Sequence, residues 1–278
     1  MTEKFRILYA TMEIAPFLKI TDAADYLSSL PQGLQEQGHE IRILMPKFGV
    51  INERRNKLHE VVRLSGINIR VGNEEKPLTI KVATIPNVRL QVYFLDNEDY
   101  FQRKSVLNDP KNNNHFYKDN DERAIFFCKG LIETVKKLGW NPHLIHCHGW
   151  MTALIPLYLK THYKDDPVFK YTKIIYTAYN ENINFPLPLN FIEKARLDGI
   201  DTEVMRQYVD GTYEGVVKSG IRMADFVTKG SPELSPGLEE CIRQLKKDVT
   251  YDFNGQDKSS YINYYSQLYK EILLGVVA

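Results

Sequence analysis

The sequence predicts an α/β fold with a central parallel sheet, helices on both faces and an antiparallel β excursion. Short apolar runs such as Phe5–Thr11 and His143–His148 have the length and continuous hydrophobicity of strands buried in a parallel sheet. Segments with apolar residues at helical spacing lie between such runs. By contrast, Val61–Val71 and Pro77–Leu95 alternate apolar and polar residues, which is typical of half-exposed antiparallel strands.

The predicted elements follow the order β-α-β, β-hairpins, α-β-α-β-α-β-α. The predicted strands are Phe5–Thr11, Ile41–Pro46, Val61–Val71, Pro77–Ile85, Val88–Leu95, His143–His148, Lys173–Tyr179 and Asp225–Thr228. The predicted helices are Asp22–Gln37, Asp121–Leu138, Met151–Lys160, Gly211–Met223 and Ser259–Leu274. This alternation predicts a Rossmann-like sheet, whose ligands bind at the carboxyl ends of the strands.

The last predicted helix, at about 259–274, has one broad apolar and aromatic face. That face consists of Tyr261, Tyr264, Tyr265, Leu268, Tyr269, Ile272 and Leu273. Such a face is expected to dock on the rest of the protein. We therefore predict a single domain over residues 1–278, closed by this helix, in a chain that is complete.

Composition excludes several classes of protein. The 278 residues carry a net charge of +1, which argues against a nucleic-acid partner. No apolar stretch reaches the roughly 20 residues that a membrane span requires, and charges interrupt the amino terminus where a signal peptide would be apolar. Three cysteines do not suggest a disulfide framework. We predict a cytoplasmic protein that binds neither nucleic acid nor membrane.

Six stretches match, in order, the motifs of one family. The first is MEIAPFLKITDAADYLSSLP, at 12–31, which keeps Glu13, Ala15, Pro16, Lys19, Asp25, Leu30 and Pro31 of the pattern E-x-A-P-x-x-K-x-G-G-L-x-D-V-x-x-x-L-P. The others are GHEIRILMPKFG (38–49), YFLDNEDYFQR (93–103), the segment 117–160 with YKDNDER and HCHGW, YTAYN (176–180) and ADFVTKGSP (224–232). Over roughly the first 235 residues, the chain resembles the glycogen and starch synthases.

This resemblance implies the amino-terminal, acceptor-side half of a GT-B fold and transfer of glucose from a nucleotide glucose to an α-1,4-glucan. The ligand-binding positions that it implies are Lys19, Asp22, Asp119, His148, Trp150, Tyr179 and Asn180. Catalytic residues are not firmly assigned, and the candidates are His148 and Asp119. Lys19 is either a phosphate contact or an exposed loop lysine, and Asp119 fits a site carboxylate and a helix N-cap equally well.

Five positions depart from the family motifs. Thr21 and Asp22 replace a Gly-Gly pair that lets backbone N–H groups approach the donor diphosphate. A carboxylate about 5 Å from a phosphate charge costs on the order of 3 kcal/mol at an effective dielectric near 20. Gly149 replaces the Asp of H-D-W-H, Met151 replaces its second His, and Tyr179 replaces the His of F-T-x-H-N.

Two functions therefore remain open from the sequence. The resemblance places cationic donor contacts in a second domain, and we expect this chain to end before that domain and to be inactive in isolation. Either a second glycosyltransferase chain or a homo-oligomer completes the cleft around α-glucan and nucleotide glucose, or the protein is a pseudoenzyme that binds glucan or a synthase.

No cofactor and no metal is expected. His143, His146, Cys147 and His148 superficially suggest zinc, but strand neighbours point to opposite faces, so at most two could share an ion. We interpret His146 as a core histidine whose ring nitrogens both have partners.

An apolar rim is expected beside the strand ends. Its members are Phe17, Leu18, Trp150, Met151, Phe185 and Leu187. The rim is either an exposed binding surface, in particular at residues 183–191, or a loop that folds inward and closes the cleft.

Overall fold

A computed structural model describes residues 4–86, 88–113, 115–181, 183, 186–197, 200–245 and 257–275, with the side chain of Tyr208 excepted. Within these residues, nine strands form one sheet. They are β1 (Arg6–Ala10), β2 (Glu40–Pro46), β3 (His59–Glu60), β4 (Ile67–Val71), β5 (Glu74–Thr84), β6 (Gln91–Asp96), β9 (Leu144–His148), β10 (Lys173–Ala178) and β11 (Phe226–Lys229). A separate pair is formed by β7 (Asn108–Asp109) and β8 (His115–Phe116).

The helices connect successive strands. They are α1 (Ala23–Glu36), α2 (Glu98–Phe101), α3 (Asn120–Leu138), α4 (Leu154–Lys160), α5 (Phe191–Ala195), α6 (Thr202–Tyr208), α7 (Tyr213–Met223), α8 (Pro236–Gln244) and α9 (Lys258–Leu274). A short 3₁₀ turn, Trp150–Thr152, precedes α4. Among the described residues, no helix has both the length and the apolar character needed to cross a bilayer.

The sheet confirms the predicted fold class. Its order is β11-β10-β9-β1-β2-β6-β5-β3, with β4 paired to β5. Strands β11 to β6 run parallel, and β1 lies near the centre, between β9 and β2. The antiparallel excursion is β3, β4 and β5, which extend the sheet beyond β6. The carboxyl ends of β1, β9, β10 and β11 therefore meet at one edge.

Helices cover both faces of the sheet, as predicted. Successive residues of β9 point to opposite faces. On one side, His146 contacts Tyr269 of α9, and α9 packs on α1. On the other side, the Cys147 thiol faces Cys128 of α3, and α3 packs against α4. Tyr261, Tyr265, Leu268, Tyr269 and Ile272 of α9 are buried, which confirms that this face docks.

Several predicted boundaries were wrong. The strand predicted over Val61–Val71 forms only from Ile67, because residues 61–65 make a turn in which the Ser65 N–H donates to the Val61 carbonyl. The helix predicted over Met151–Lys160 is divided into the 3₁₀ turn and α4. The sequence analysis did not predict α2, α5, α6 or α8, which are short helices.

Candidate ligand-binding site

A pocket of about 420 Å³ lies where the carboxyl ends of β1, β9, β10 and β11 meet. Each strand continues into a segment that lines it. The lining residues are Thr11, Met12, Glu13, Ile20, Thr21, Asp22, Ala23, Leu27, Leu107, His148, Gly149, Trp150, Tyr179, Asn180, Glu181, Ile183, Gly230 and Ser231. This is the edge at which parallel sheets of this kind bind ligands. Five predicted positions, Asp22, His148, Trp150, Tyr179 and Asn180, are therefore brought together.

The loop after β1 is organised around the buried carboxylate of Glu13. Its Oε2 accepts hydrogen bonds from the backbone N–H groups of Ile20, at 2.6 Å, and Thr21, at 2.8 Å. Its Oε1 accepts a hydrogen bond from the Thr21 hydroxyl at 2.6 Å. These N–H groups belong to the part of the loop where an anion would bind. An internal carboxylate already occupies them.

Lys19 and Asp22 form an exposed ion pair on the same loop. The Lys19 ammonium lies 2.7 Å from Asp25 and 3.2 Å from Asp22. Hydrogen bonds to Asp25 and then to Asp22 raise the pKa of Lys19 above its ordinary value. Asp22 holds the N-cap position of α1 without a side-chain cap bond. Asp22 lines the pocket, whereas Lys19 is not among the residues that line it.

His148 ends β9 and is buried against the pocket. Its Nδ1 shares a hydrogen bond with the Tyr179 hydroxyl at 3.0 Å. Within the described part of the chain, its Nε2 is buried and has no hydrogen-bond partner. Burial lowers the pKa of His148 to about 3, so the imidazole is neutral at pH 7. A neutral imidazole with one unused nitrogen can donate to or accept from a ligand hydroxyl, depending on its tautomer.

Tyr179 and Asn180 follow β10 and pack against the segment after β11. The ring of Tyr179 lies over Gly230, where a Cβ atom would come within 2.2 Å of the ring. The Asn180 N–H donates to the Ser231 hydroxyl at 3.0 Å. Burial raises the pKa of Tyr179 well above its ordinary value, so its hydroxyl stays protonated. The tyrosine that replaces the family's histidine is therefore a neutral partner of His148.

Trp150 begins the 3₁₀ turn, and its backbone N–H donates to Glu181 Oε2 at 2.8 Å. Its indole packs edge-on against Tyr213, with ring centroids 5.2 Å apart. The indole Nε1 is buried without a partner among the described residues. Trp150 therefore contributes mainly apolar surface to the pocket.

Glu181 is a pocket residue that the sequence analysis did not identify. Desolvation by burial raises its pKa to about 8, although the hydrogen bond from Trp150 acts in the opposite direction. Gly149 lies directly against it, with a φ of 76°. A Cβ at position 149 would come within 2.7 Å of Glu181 Oε1. The sequence signals were an acidic residue just after a predicted strand and, 32 residues earlier, a glycine that replaces a family aspartate.

Asp119 lies apart from the lining of the pocket. It occupies the N-cap position of α3, as the sequence suggested, but makes no side-chain cap bond. Its two carboxylate oxygens instead accept hydrogen bonds from Arg103, at 2.7 Å and 2.5 Å. The structure therefore shows a side-chain ion pair at this position.

His143, His146, Cys147 and His148, which superficially suggested zinc, do not form a metal site in the described structure. His146 is buried, and its two ring nitrogens bond to Tyr269, at 2.5 Å, and Thr177, at 2.6 Å, which confirms the interpretation as a core histidine. His143 Nδ1 accepts the backbone N–H of Arg6 at 3.0 Å. Over the described ranges, no group of three or more His, Cys, Asp or Glu residues is placed to hold a metal ion.

Of the two alternatives for the apolar rim, burial of its described members contradicts the exposed surface and agrees with inward packing. Phe17, Trp150, Met151 and Leu187 are buried, and Leu18 is partly buried. The reason is packing: the Phe17 ring lies edge-on to Phe94 at 5.1 Å, and the Leu187 N–H donates to the Gly211 carbonyl. Phe185 lies outside the described residues.

Comparison with known proteins gives consistent matches. Residues 6–240 match the family described as starch synthase catalytic domain. The chain is 36% identical over 264 residues to a glycogen synthase of Chlorobaculum tepidum, covering 91% of this chain and 53% of that relative. It is 42% identical over 240 residues to a glycogen synthase of Chlorobium chlorochromatii, covering 86% and 47%.

Its fold is also similar to that of the catalytic domain of starch synthase IV from Arabidopsis thaliana, solved with ADP and acarbose. The TM-score is 0.73 at 20% identity, over 93% of this chain and 53% of that one. This likeness confirms that the fold is that of one part of a GT-B glycosyltransferase. The chain spans about half the length of the curated relatives it matches.

Proposed function

The chain belongs to the starch synthase catalytic domain family, and from this premise we propose that it is the acceptor-side part of a glucosyltransferase of the glycogen synthase type. The proposed reaction transfers glucose from a nucleotide glucose to an α-1,4-glucan. The observation that carries the proposal is the pocket at the strand ends, with His148 Nε2 buried and unpartnered in the described structure.

A pocket lined by the neutral side chains of His148 and Tyr179 and by the carboxylates of Glu13 and Asp22 suits a sugar better than an anionic ligand. Sugar hydroxyl groups both donate and accept hydrogen bonds, so they satisfy a neutral imidazole in either tautomer. A buried polar atom left without a partner costs about 1–3 kcal/mol. A ligand hydroxyl bonded to Nε2 would remove that cost. Trp150 and Leu27 supply apolar surface on which the carbon face of a sugar ring can pack.

Transfer from a nucleotide donor also requires a cationic group near the donor phosphates, because the leaving group gains negative charge in the transition state. Among the described residues that line the pocket, none is a lysine or an arginine. Lys19 lies outside this lining and is paired to two aspartates. We therefore propose that the cationic groups for transfer come from a second domain or a second polypeptide facing the pocket.

A second candidate is a protein that binds α-glucan or a synthase without catalysis. The observation that favours it is the loop after β1, where Glu13 already occupies two backbone N–H groups. Asp22 adds an exposed carboxylate to the same loop. Both features oppose binding of a diphosphate and leave the binding of a neutral glucan unaffected.

The test combines glucosyl transfer to glycogen, from ADP-glucose and from UDP-glucose, with separate titrations of maltohexaose, ADP-glucose and UDP-glucose. Turnover that is abolished in His148→Ala supports the glucosyltransferase. Maltohexaose binding with neither turnover nor nucleotide affinity, also when a polypeptide that carries the cationic donor half is supplied, supports the non-catalytic candidate. If wild-type protein binds none of these ligands, the glucosyltransferase and the glucan-binding form of the second candidate are both wrong.

We further propose a cytoplasmic setting. Cys128 and Cys147 are buried as free thiols, and burial raises the pKa of Cys128 to about 12. Protonated, buried thiols suit a reducing compartment.

A further inference from the structure

Glu181 holds a position in the pocket that no family motif assigns. It follows β10 by three residues and lines both the main pocket and a smaller adjoining cavity of about 60 Å³. One carboxyl oxygen, Oε2, is fixed by the backbone N–H of Trp150 at 2.8 Å. Within the described structure, Oε1 has no hydrogen-bond partner. The side chain is therefore held in place at one oxygen and available at the other.

The space that Glu181 occupies is available because Gly149 has no side chain. A Cβ atom there would lie 2.7 Å from Oε1, closer than nonbonded carbon and oxygen atoms approach. The backbone of Gly149, with φ 76° and ψ 176°, also favours glycine. Position 149 is where H-D-W-H has an aspartate. The pocket thus keeps a carboxyl group beside His148, but it comes from the segment after β10.

Glu181 Oε1 and His148 Nε2 are two polar atoms of the pocket without a hydrogen-bond partner among the described residues. His148 ends β9, and Glu181 lies in the segment after the adjacent strand β10. Strands β9 and β10 are paired, with Thr177 opposite His148. A ligand hydroxyl between these atoms could donate to one and accept from the other. We propose that Glu181 binds a hydroxyl of the sugar held in this pocket, in place of a carboxyl from position 149. This inference rests on the proposed function, because it assumes a sugar ligand.

The protonation of Glu181 supports this role. With a pKa of about 8, the carboxyl is mainly neutral at pH 7, so it can donate a hydrogen bond as well as accept one. Repulsion from Glu13 adds to the effect of burial. The other titratable groups that line the same cavities are Asp22, His148, Tyr179, Tyr213 and Glu214. Of these, His148 is neutral and both tyrosines stay protonated. Asp22 is paired with Lys19, and Glu214 is paired with Lys218.

The first experiment measures maltohexaose affinity at pH 7 by calorimetry. Glu181→Ala is expected to bind about tenfold more weakly, the loss that one hydrogen bond to a buried polar partner produces. Glu181→Gln, which has one acceptor and one donor group like the neutral acid, is expected to stay within about twofold of wild type. Glu233→Ala is the matched control, because it removes an exposed carboxylate after β11 that does not line the pocket.

The second experiment follows tryptophan emission of the wild-type protein against pH. It therefore tests the inference even if Glu181→Ala does not fold. Trp150 is one of two tryptophans, and its N–H bonds to Glu181, so its emission should change with a midpoint near pH 8. Glu181→Gln should abolish this step. Saturating maltohexaose should move the midpoint upward by about half a unit or more, since a hydroxyl that accepts from the acid favours its protonated form.

The outcomes separate the inference from the proposed function. Suppose that wild type binds maltohexaose. If Glu181→Ala then binds it equally well, or if maltohexaose leaves the pH midpoint of the Trp150 emission unchanged, the inference is overturned and the proposed function stands. If wild type does not bind maltohexaose, the proposed sugar pocket is wrong and the inference falls with it. Weaker binding by Glu181→Ala with an unchanged Glu233→Ala supports both.

Discussion

Two regions meet across the pocket and use their polar groups in opposite ways. In the loop after β1, the Glu13 carboxylate accepts three hydrogen bonds from residues of its own loop. In the segments that end β9 and follow β10, His148 and Glu181 each bond through one atom to a neighbour and leave the other atom unused among the described residues. The first region is internally satisfied and therefore rigid, whereas the second can bind a ligand without first breaking a bond.

The largest effect on stability is expected when the loop after β1 loses the Glu13 carboxylate. Glu13→Ala removes all three hydrogen bonds and should lower the free energy of unfolding by about 4 kcal/mol, because two of the donors are backbone groups held by a buried carboxylate. Urea unfolding measures it. The control is Asp22→Ala, in the same loop but exposed, which should change stability by less than about 0.5 kcal/mol. Equal effects of the two variants would contradict the assigned role of Glu13.

A smaller effect is expected where the second region depends on a missing side chain. Gly149→Ala should cost about 3 kcal/mol, since it adds backbone strain and a contact with Glu181. Gly66→Ala is the matched control: Gly66 has a similar φ of 79°, but its Cβ would meet nothing within 4 Å, so about 1 kcal/mol is expected. In a double-mutant cycle, Glu181→Ala should recover about 1 kcal/mol or more of the Gly149→Ala loss. A coupling energy near zero would mean that the two positions are independent.

The pH dependence of stability also distinguishes the two regions, because Glu181, in the second region, has a strongly raised pKa. The pKa of Glu181 rises from an ordinary 4.5 to about 8 on folding. The folded state therefore holds more protons than the unfolded state between these values, and this contribution to stability is lost as pH rises towards 8. Relative to Glu181→Gln, wild type should lose on the order of 3 kcal/mol between pH 5 and pH 8 and little beyond. Parallel curves for the two proteins in urea would contradict the raised pKa.

The smallest effect is expected for Lys19, on the outer side of the first region. Its ion pairs with Asp22 and Asp25 are solvent-exposed, and such pairs contribute little to stability. Lys19→Ala should leave the thermal midpoint and maltohexaose affinity unchanged. Loss of ADP-glucose affinity in this variant would instead establish the phosphate contact that the family motif implies.

The fold could be predicted because its signals are local and periodic. Buried strands such as β1 and β9 are continuous apolar runs in the sequence. Helix α9 has aromatic residues at helical spacing along one face. Short helices were missed because four to nine residues give too few turns for a periodic signal. Their caps were nevertheless visible: Ser235 before Pro236 starts α8, and Asp201 accepts from the N–H of Glu203 in α6.

The site was less predictable, because its key contacts join residues far apart in the sequence. Glu13 was identified as part of a motif, but its bonds to Ile20 and Thr21 depend on how the loop folds back. Glu181 belongs to no motif, and its position in the pocket depends on Gly149, which follows the neighbouring strand β9 and is 32 residues away in the sequence. Lys19 and Asp119 matched motifs, yet neither residue lines the pocket. Each forms an ion pair with a neighbouring side chain, Lys19 with Asp25 and Asp119 with Arg103.

A hydrogen-bonded chain beneath the pocket joins the four strands that form it. Tyr9, His146, Thr177 and Thr228, one from each strand, are linked with Tyr269 and Tyr265 of α9. Burial lowers the pKa of His146 well below its ordinary value, so its ring carries a single N–H and must donate on one side and accept on the other. One tautomer thus sets the direction of its hydrogen bonds to both neighbours. The ring centroids of His148 and His146 lie 3.9 Å apart, so a tautomer change would reverse the local dipole immediately under the pocket.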